Sequence, residues 1–258
     1  MEFTIHEKLA QALKKAEKSC IAIEQISKDT NFTVDDAYKI QLINIERELS
    51  GGKKVTGKKI GLTSLAVQNM LGVNTPDFGH LLDSMEVKNN TIQINTMIQP
   101  KVEGEIAFVL KEDIKGPDAT AKDVLNATEY VAAAIEIVDS RIKDWKISLI
   151  DTVADNASSG MYVISDRKID PKTIDLKNIE MNLYKDSEKI NSGLGSAVLG
   201  DPAFSVAWLA NALSKYGVVL KKGEIVLSGA LSGMLTAEKG NKYTANFSEL
   251  GSISVKFE

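Results

Sequence analysis

Pro100-Lys101-Val102-Glu103-Gly104-Glu105-Ile106-Ala107-Phe108-Val109-Leu110 is the stretch on which the fold turns. Its β-branched and aromatic residues favour a strand, in which alternate side chains share a face. Glu103 and Glu105 then lie with Ala107 and Val109, while Val102, Gly104, Ile106 and Phe108 line the other side. Both faces are apolar at the C-terminal end, as expected of a strand covered on both sides. Two glutamates about 7 Å apart on one such face would repel each other at low dielectric. Leaving a carboxylate buried without a partner costs several kcal/mol, and the remedies are a raised pKa, a lysine or arginine partner, or a metal ion.

A second stretch repeats the anomaly. Val131-Ala132-Ala133-Ala134-Ile135-Glu136-Ile137-Val138-Asp139-Ser140-Arg141 is apolar apart from Glu136 until it reaches Asp139. With one cysteine and two histidines in the chain, a thiol or histidine metal cluster is excluded, so any metal must be held by oxygen. Three carboxylates suit a hard divalent cation, Mg²⁺ or Mn²⁺. An acid in a strand is more often solvent-facing or paired with lysine, and spacing alone does not choose between these readings.

Outward from these strands, the chain reads as an α+β protein in one cooperative unit: a helical N-terminal region, 1–80, packed on a β-rich body, 81–258. Helices are expected over 5–16 and after Thr33, where Asp36 completes a capping pattern and Gly51-Gly52 ends the run. Lys53 to Gly61 reads as a turn and a short strand. β-type runs follow at 87–94, 102–110, 132–138, 161–164, 181–184, 225–227 and 253–257, interrupted by helices over 118–130 and from Asp201-Pro202 to Gly217. The 258 residues carry 35 acidic and 31 basic side chains, a net charge of -4 with both signs interspersed, which leaves no electrostatic footprint for nucleic acid. The N-terminus lacks a signal-peptide pattern and no run approaches the roughly 20 apolar residues of a membrane span, so a cytoplasmic protein is expected.

Other motifs are less specific by themselves. Lys58-Lys59 before Gly61 resembles neither a P-loop nor a dinucleotide fingerprint and reads as a solvated lysine pair. Asp77-Phe78-Gly79-His80 reads as a turn, with His80 structural. Asp155-Asn156-Ala157-Ser158-Ser159-Gly160 is a small polar loop whose hydroxyls and N–H groups could also bind a carboxylate. Ser228-Gly229-Ala230 is not a nucleophile elbow, and Cys20 has no activating partner in sequence.

In their order along the chain, Val34-Asp35-Asp36-Ala37-Tyr38, Lys59-Ile60-Gly61-Leu62-Thr63-Ser64, Pro76-Asp77-Phe78-Gly79-His80-Leu81, the two acidic strands, Asp151-Thr152-Val153-Ala154-Asp155-Asn156-Ala157-Ser158-Ser159-Gly160 and Gly251-Ser252-Ile253-Ser254-Val255 resemble the 2-keto-4-pentenoate hydratase family of the fumarylacetoacetate hydrolase superfamily. The resemblance spans nearly the whole chain. It implies a mixed β-roll or sandwich body, a homo-oligomer, and Mg²⁺ or Mn²⁺ at Glu103, Glu105 and Glu136. It further implies catalytic roles for Lys59 and Asp77, substrate contacts at Leu62 and Ser158, and addition of water to 2-hydroxypenta-2,4-dienoate in aromatic catabolism. A partly buried lysine beside a carboxylate can be tuned towards neutral pH, which suits Lys59 and Asp77 to proton transfer. Two rivals share the acids: a 4-oxalocrotonate decarboxylase, and a non-catalytic metal-binding subunit associated with one. Asp201, where the family often has histidine, and Ser232-Gly233, in place of Gly-Pro, depart from the pattern and bear on substrate selectivity.

Overall fold

The computed structural model describes residues 3–258 except 29, 66–67 and 70–71. Two helices lead. In α1 (Ile5–Ser19) and α2 (Val34–Ser50) the caps Thr4 and Thr33 each close a reciprocal box, with Glu7 and Asp36 respectively. Ala10, Leu13, Ala37, Ile40 and Ile45 form their buried stripe.

β1 (Val55–Gly61) and β2 (Asp77–Leu82) pair antiparallel and enter the larger sheet, so a line drawn at residue 80 falls inside β2. That sheet runs β2-β1-β9-β4-β5-β6, with β4 (Lys101–Leu110), β5 (Thr128–Val138), β6 (Ser159–Ile164) and β9 (Ile225–Ala230), and β10 (Leu235–Thr236) paired to β4. The second sheet runs β3-β12-β11-β7-β8, from β3 (Thr91–Ile92), β7 (Glu180–Lys185), β8 (Glu188–Leu194), β11 (Lys242–Phe247) and β12 (Gly251–Phe257). The two sheets share a core in which Ile106, Phe108, Ile135 and Ile137 cluster with Met181, Leu183, Tyr243 and Val255. At Gly104 the layers come close: a Cβ there would lie 3.0 Å from the end of Met181 and 3.4 Å from the methyl of Ala245. The opposite face of β4 and β5 carries a smaller apolar cluster, including Ala107, Ala134 and Leu227, beside the acids.

Three shorter helices complete the body: α3 (Ala121–Ala127), α4 (Leu149–Ala154) and α5 (Pro202–Ser214). α5 starts as its sequence dictates, with Asp201 accepting the Ala203 N–H at 2.8 Å and Pro202 in the first turn.

Several expected elements differ. Residues 77–80 are strand, not turn, because β1 supplies a partner that no local signal reveals. The run 87–94 contributes only β3, its middle being a turn around Asn90, whose φ is 54°. The helix expected to Tyr130 stops at Ala127: from Thr128 the backbone is claimed by the β4 ladder. α4 and β8 lack a clear periodicity and are not among the expected elements; nor is β11, although its Tyr243, Ala245 and Phe247 alternate as a half-buried strand requires.

Candidate active site

The antiparallel register of β4 and β5 sets Glu103 directly opposite Glu136, and Glu105 one step along the same face. Carboxylate oxygens of the three lie within 4.8 Å of one another. Glu105 and Glu136 are each 1% exposed. Glu105 Oε2 accepts the Gly229 N–H at 2.8 Å, whereas among the described residues neither oxygen of Glu136 has a hydrogen bond beyond its ion pair with Lys59. Burial pushes all three carboxyls up, and mutual repulsion adds to it for two of them: Glu103 is raised to about 7, Glu105 well above the usual carboxylate range, and Glu136 is raised by burial against the pull of Lys59. Oxygen donors alone, clustered, buried and short of partners, fit a hard divalent cation.

Lys58 and Lys59 are not a solvated pair. Each is 3% exposed, and strand alternation sends them apart. Lys58 Nζ pairs with Glu224 Oε1 at 2.8 Å, and Lys59 Nζ lies 3.3 Å from Glu136 Oε1. β9 and β4 separate β1 from β5, so flat strands about 4.8 Å apart would hold these residues some 14 Å from each other; the contact requires a strongly curled sheet. Burial by itself would lower the Lys59 pKa, but Glu136, Asp77, Glu103 and Glu105 together outweigh it and the group is raised. In the metal-free protein Lys59 is therefore a held ammonium rather than one tuned towards neutral.

Asp77 faces Gly61 across the β1–β2 pair. Its Oδ2 accepts the Thr152 hydroxyl at 3.1 Å, while its buried Oδ1 has no side-chain hydrogen-bond partner among the described residues. A Cβ at Gly61 would stand 2.2 Å from Oδ1 and 3.5 Å from Lys59 Nζ, so the absence of a side chain there admits both groups. Burial raises the Asp77 pKa, against the pull of Lys59 and the Thr152 hydrogen bond.

Ser158 ends an unusual turn. Asn156, Ala157 and Ser158 have φ of 56°, 51° and 53°, three consecutive left-handed residues of which none is glycine. The surroundings over-determine this conformation. Asn156 Oδ1 accepts the His80 N–H at 2.7 Å and its Nδ2 donates to His80 O at 2.9 Å; Ser159 Oγ donates to Asn156 O at 2.8 Å. Arg141 donates to both oxygens of Asp155 and to the carbonyls of Asp139, Asp155 and Ser159. A Cβ on Gly79 would stand 2.3 Å from Asn156 O, so β2 can approach the turn only with glycine there. Leu62 is likewise left-handed, φ 57°, with its carbonyl accepting from Gln68 Nε2 at 2.7 Å.

These residues meet at one cavity of about 500 Å³. Lys59, Leu62, Asp77, Glu103 and Ser158 line it; Glu105 and Glu136 stand behind Glu103. The rest of the wall is chiefly apolar, with Val138, Ile147, Leu231 and Met234, and it includes Ser232 and Gly233. Trp145 belongs to the same wall, its indole N–H donating to Gln99 O at 3.0 Å and its ring lying 4.4 Å from Lys101 Nζ. None of Arg47, Arg141 and Arg167 is among the lining residues. Sequence reasoning missed Gly61 and Thr152 as parts of the site. Thr152 sits inside a noted motif, but its contact with a residue 75 positions away has no local signature.

Residues 72–258 match the family model described as fumarylacetoacetate (FAA) hydrolase C-terminal. A 2-hydroxyhexa-2,4-dienoate hydratase of Comamonas testosteroni is 49% identical over 87% of this chain and 86% of its own length. A 2-keto-4-pentenoate hydratase of Paraburkholderia xenovorans is 45% identical over 98% of this chain and 94% of its own. Among solved structures, 4-oxalocrotonate decarboxylase from Pseudomonas putida G7, complexed with magnesium and adipate, superposes with a TM-score of 0.96 at 33% identity over 100% of this chain and 99% of that one.

Proposed function

The chain belongs to the fumarylacetoacetate hydrolase family, and from that premise we propose that it is a divalent-metal-dependent hydro-lyase adding water to 2-hydroxypenta-2,4-dienoate to give 4-hydroxy-2-oxopentanoate, in catabolism of aromatic compounds. The observation that carries the reading is the juxtaposition of the buried acid triad, whose Glu103 lines the cavity, with Lys59 and Asp77 in the same wall. A purely structural metal site has no use for that pair.

In this reading Glu103, Glu105 and Glu136 hold the cation, Mg²⁺ or Mn²⁺. It would supply a Lewis acid for negative charge developing on the C2 oxygen of a 2-oxo acid. Lys59 and Asp77 move the proton to C5, which leaves an α,β-unsaturated ketone with an electrophilic C4, and water adds there. The left-handed backbone at Leu62 and the hydroxyl of Ser158 hold substrate oxygens. The apolar wall receives the carbon chain and limits stray water.

That wall also favours hydratase over decarboxylase. The second carboxylate of a dicarboxylic substrate would want a cation at the far end, yet Lys59 is the one cation among the described lining residues. The same reading carries a homo-oligomer and association with a 4-oxalocrotonate decarboxylase, which light scattering after gel filtration tests. For the activity, the purified protein is given Mg²⁺ or Mn²⁺ and freshly generated 2-hydroxypenta-2,4-dienoate, beside the oxalocrotonate-derived dienol. Loss of the dienoate ultraviolet band without CO₂ release is expected; CO₂ release would select the decarboxylase, and no consumption of either would leave a binding subunit.

A further inference from the structure

The Asp151-Thr152-Val153 run, noted in the sequence without a role, forms the middle of α4. All three residues are buried, and each reaches a different partner. Asp151 fixes the helix start: its Oδ1 accepts the Ile26 and Ser27 N–H groups at 2.9 Å, and its Oδ2 accepts the hydroxyls of Ser27 and Ser148 at 2.7 Å. Val153 O accepts Gln41 Nε2 at 2.7 Å, and the same amide nitrogen donates to Phe78 O at 3.1 Å, tying the helix to the backbone beside Asp77. Between these anchors Thr152 directs its hydroxyl at Asp77 Oδ2.

We propose that Thr152 is a positioning residue for the reaction: held by α4, its hydroxyl engages Oδ2 of Asp77 so that Oδ1, in the space left by Gly61 and next to Lys59, is the oxygen presented for proton transfer. The geometry has two independent halves. Thr152 occupies one carboxylate oxygen, and the missing side chain at Gly61 makes room for the other, which takes no side-chain hydrogen bond among the described residues. Without the hydroxyl, the Asp77 carboxyl can turn about its last bond out of the observed plane, so the orientation that aims an oxygen into the space at Gly61 becomes one of several. Substrate oxygens, held elsewhere in the cavity, would still bind.

The role rests on the hydratase reading, and the test separates the two. Wild type, Thr152→Val and Thr152→Ser are compared as full chains with Mg²⁺ and 2-hydroxypenta-2,4-dienoate. Thr152→Val should lower kcat about 10- to 100-fold with KM within about twofold, since small misplacements of a reacting group cost up to about 10²-fold. Thr152→Ser, which restores the hydroxyl, should stay within about threefold of wild type. In an Asp77→Asn background Thr152→Val should change nothing further, because its effect travels through Asp77. Thr152→Ala carries the same expectations if the valine variant fails to fold. Unchanged kcat in Thr152→Val, an equal loss in the serine variant, a change confined to KM, or additive losses with Asp77→Asn would each overturn the positioning role while leaving the hydratase reading intact. An inactive wild type would overturn that reading, and the role with it.

Discussion

Two buried acid clusters lie a few residues apart on the same stretch of chain, and they are built on opposite principles. Around Arg141, Asp155 receives the backbone N–H and Nε of the arginine, and Asp139 receives the N–H groups of Ile98 and Gln99. Every charge there is answered by the protein. Three residues upstream of Asp139, Glu136 faces Glu103, and among the described residues its oxygens meet only Lys59, one lysine for three carboxylates. The finished cluster is scaffold: it locks the left-handed turn that carries Ser158. The unfinished cluster leaves buried carboxylates that the chain only partly answers, and such groups are where function is sought.

The sharpest way to separate the two is to remove one charge from each. Glu105→Gln should lower kcat by at least about 10³-fold, the loss expected when Lewis-acid stabilisation worth several kcal/mol disappears. Its metal-free unfolding temperature should not fall, because a repelling buried carboxyl has been replaced by a neutral amide that keeps the Gly229 hydrogen bond. Full activity in this variant, or in excess chelator, would dismiss the metal reading. Arg141→Met should do the reverse. Breaking a buried, fully hydrogen-bonded ion pair costs about 3–5 kcal/mol, which in a chain of this size lowers the unfolding temperature by about 10 °C. Metal affinity, measured by calorimetry, should be unchanged, and KM should rise as the Ser158 turn loosens. If Glu105→Gln destabilised the metal-free protein as much as Arg141→Met, the contrast would collapse.

A smaller perturbation probes the space between lysine and aspartate. Gly61→Ala places a methyl where Asp77 Oδ1 sits and should reduce kcat about 10²-fold, while the acid triad, on other strands, still binds its cation. Activity near that of wild type would show that Asp77 is not held in its observed orientation during turnover.

The unequal legibility of the molecule in its sequence follows from the same contrast. β4 and β5 were readable because a glutamate inside an apolar run is a local contradiction, and local contradictions survive without knowledge of the fold. α2 and α5 were readable from their caps. Asp77 was misplaced in a turn, and Lys59 was readable as solvated, because their burial depends on a sheet curling through β9 and β4, a property that Pro-Asp-Phe-Gly cannot express over four residues. Thr152 and Arg141 were harder still. Each acts through hydrogen bonds to partners chosen by tertiary structure, Asp77 in one case and the 155–159 backbone in the other.

The mildest test uses pH to show that one cluster is waiting for a cation. Burial and repulsion raise Glu103 from its usual 4.5 to about 7, and Glu105 and Glu136 are raised as well. A carboxyl raised on folding makes the native state hold more protons than the unfolded chain between those two values. Its contribution to metal-free stability is therefore complete below about 4.5 and is lost as pH rises through about 7. A cation needs the deprotonated oxygens, so its binding runs the other way: apparent affinity for Mg²⁺ or Mn²⁺ should rise about tenfold per pH unit for each proton displaced, roughly 1.4 kcal/mol, with the share due to Glu103 ending above about 7. Calorimetry in two buffers of different ionisation enthalpy should show more protons released at pH 6 than at pH 8, because Glu103 no longer contributes at the higher pH. Arg141→Met should keep that slope and Glu103→Gln should lessen it, because the first removes a charge the protein has already answered and the second removes one of those that the cation must displace a proton to reach.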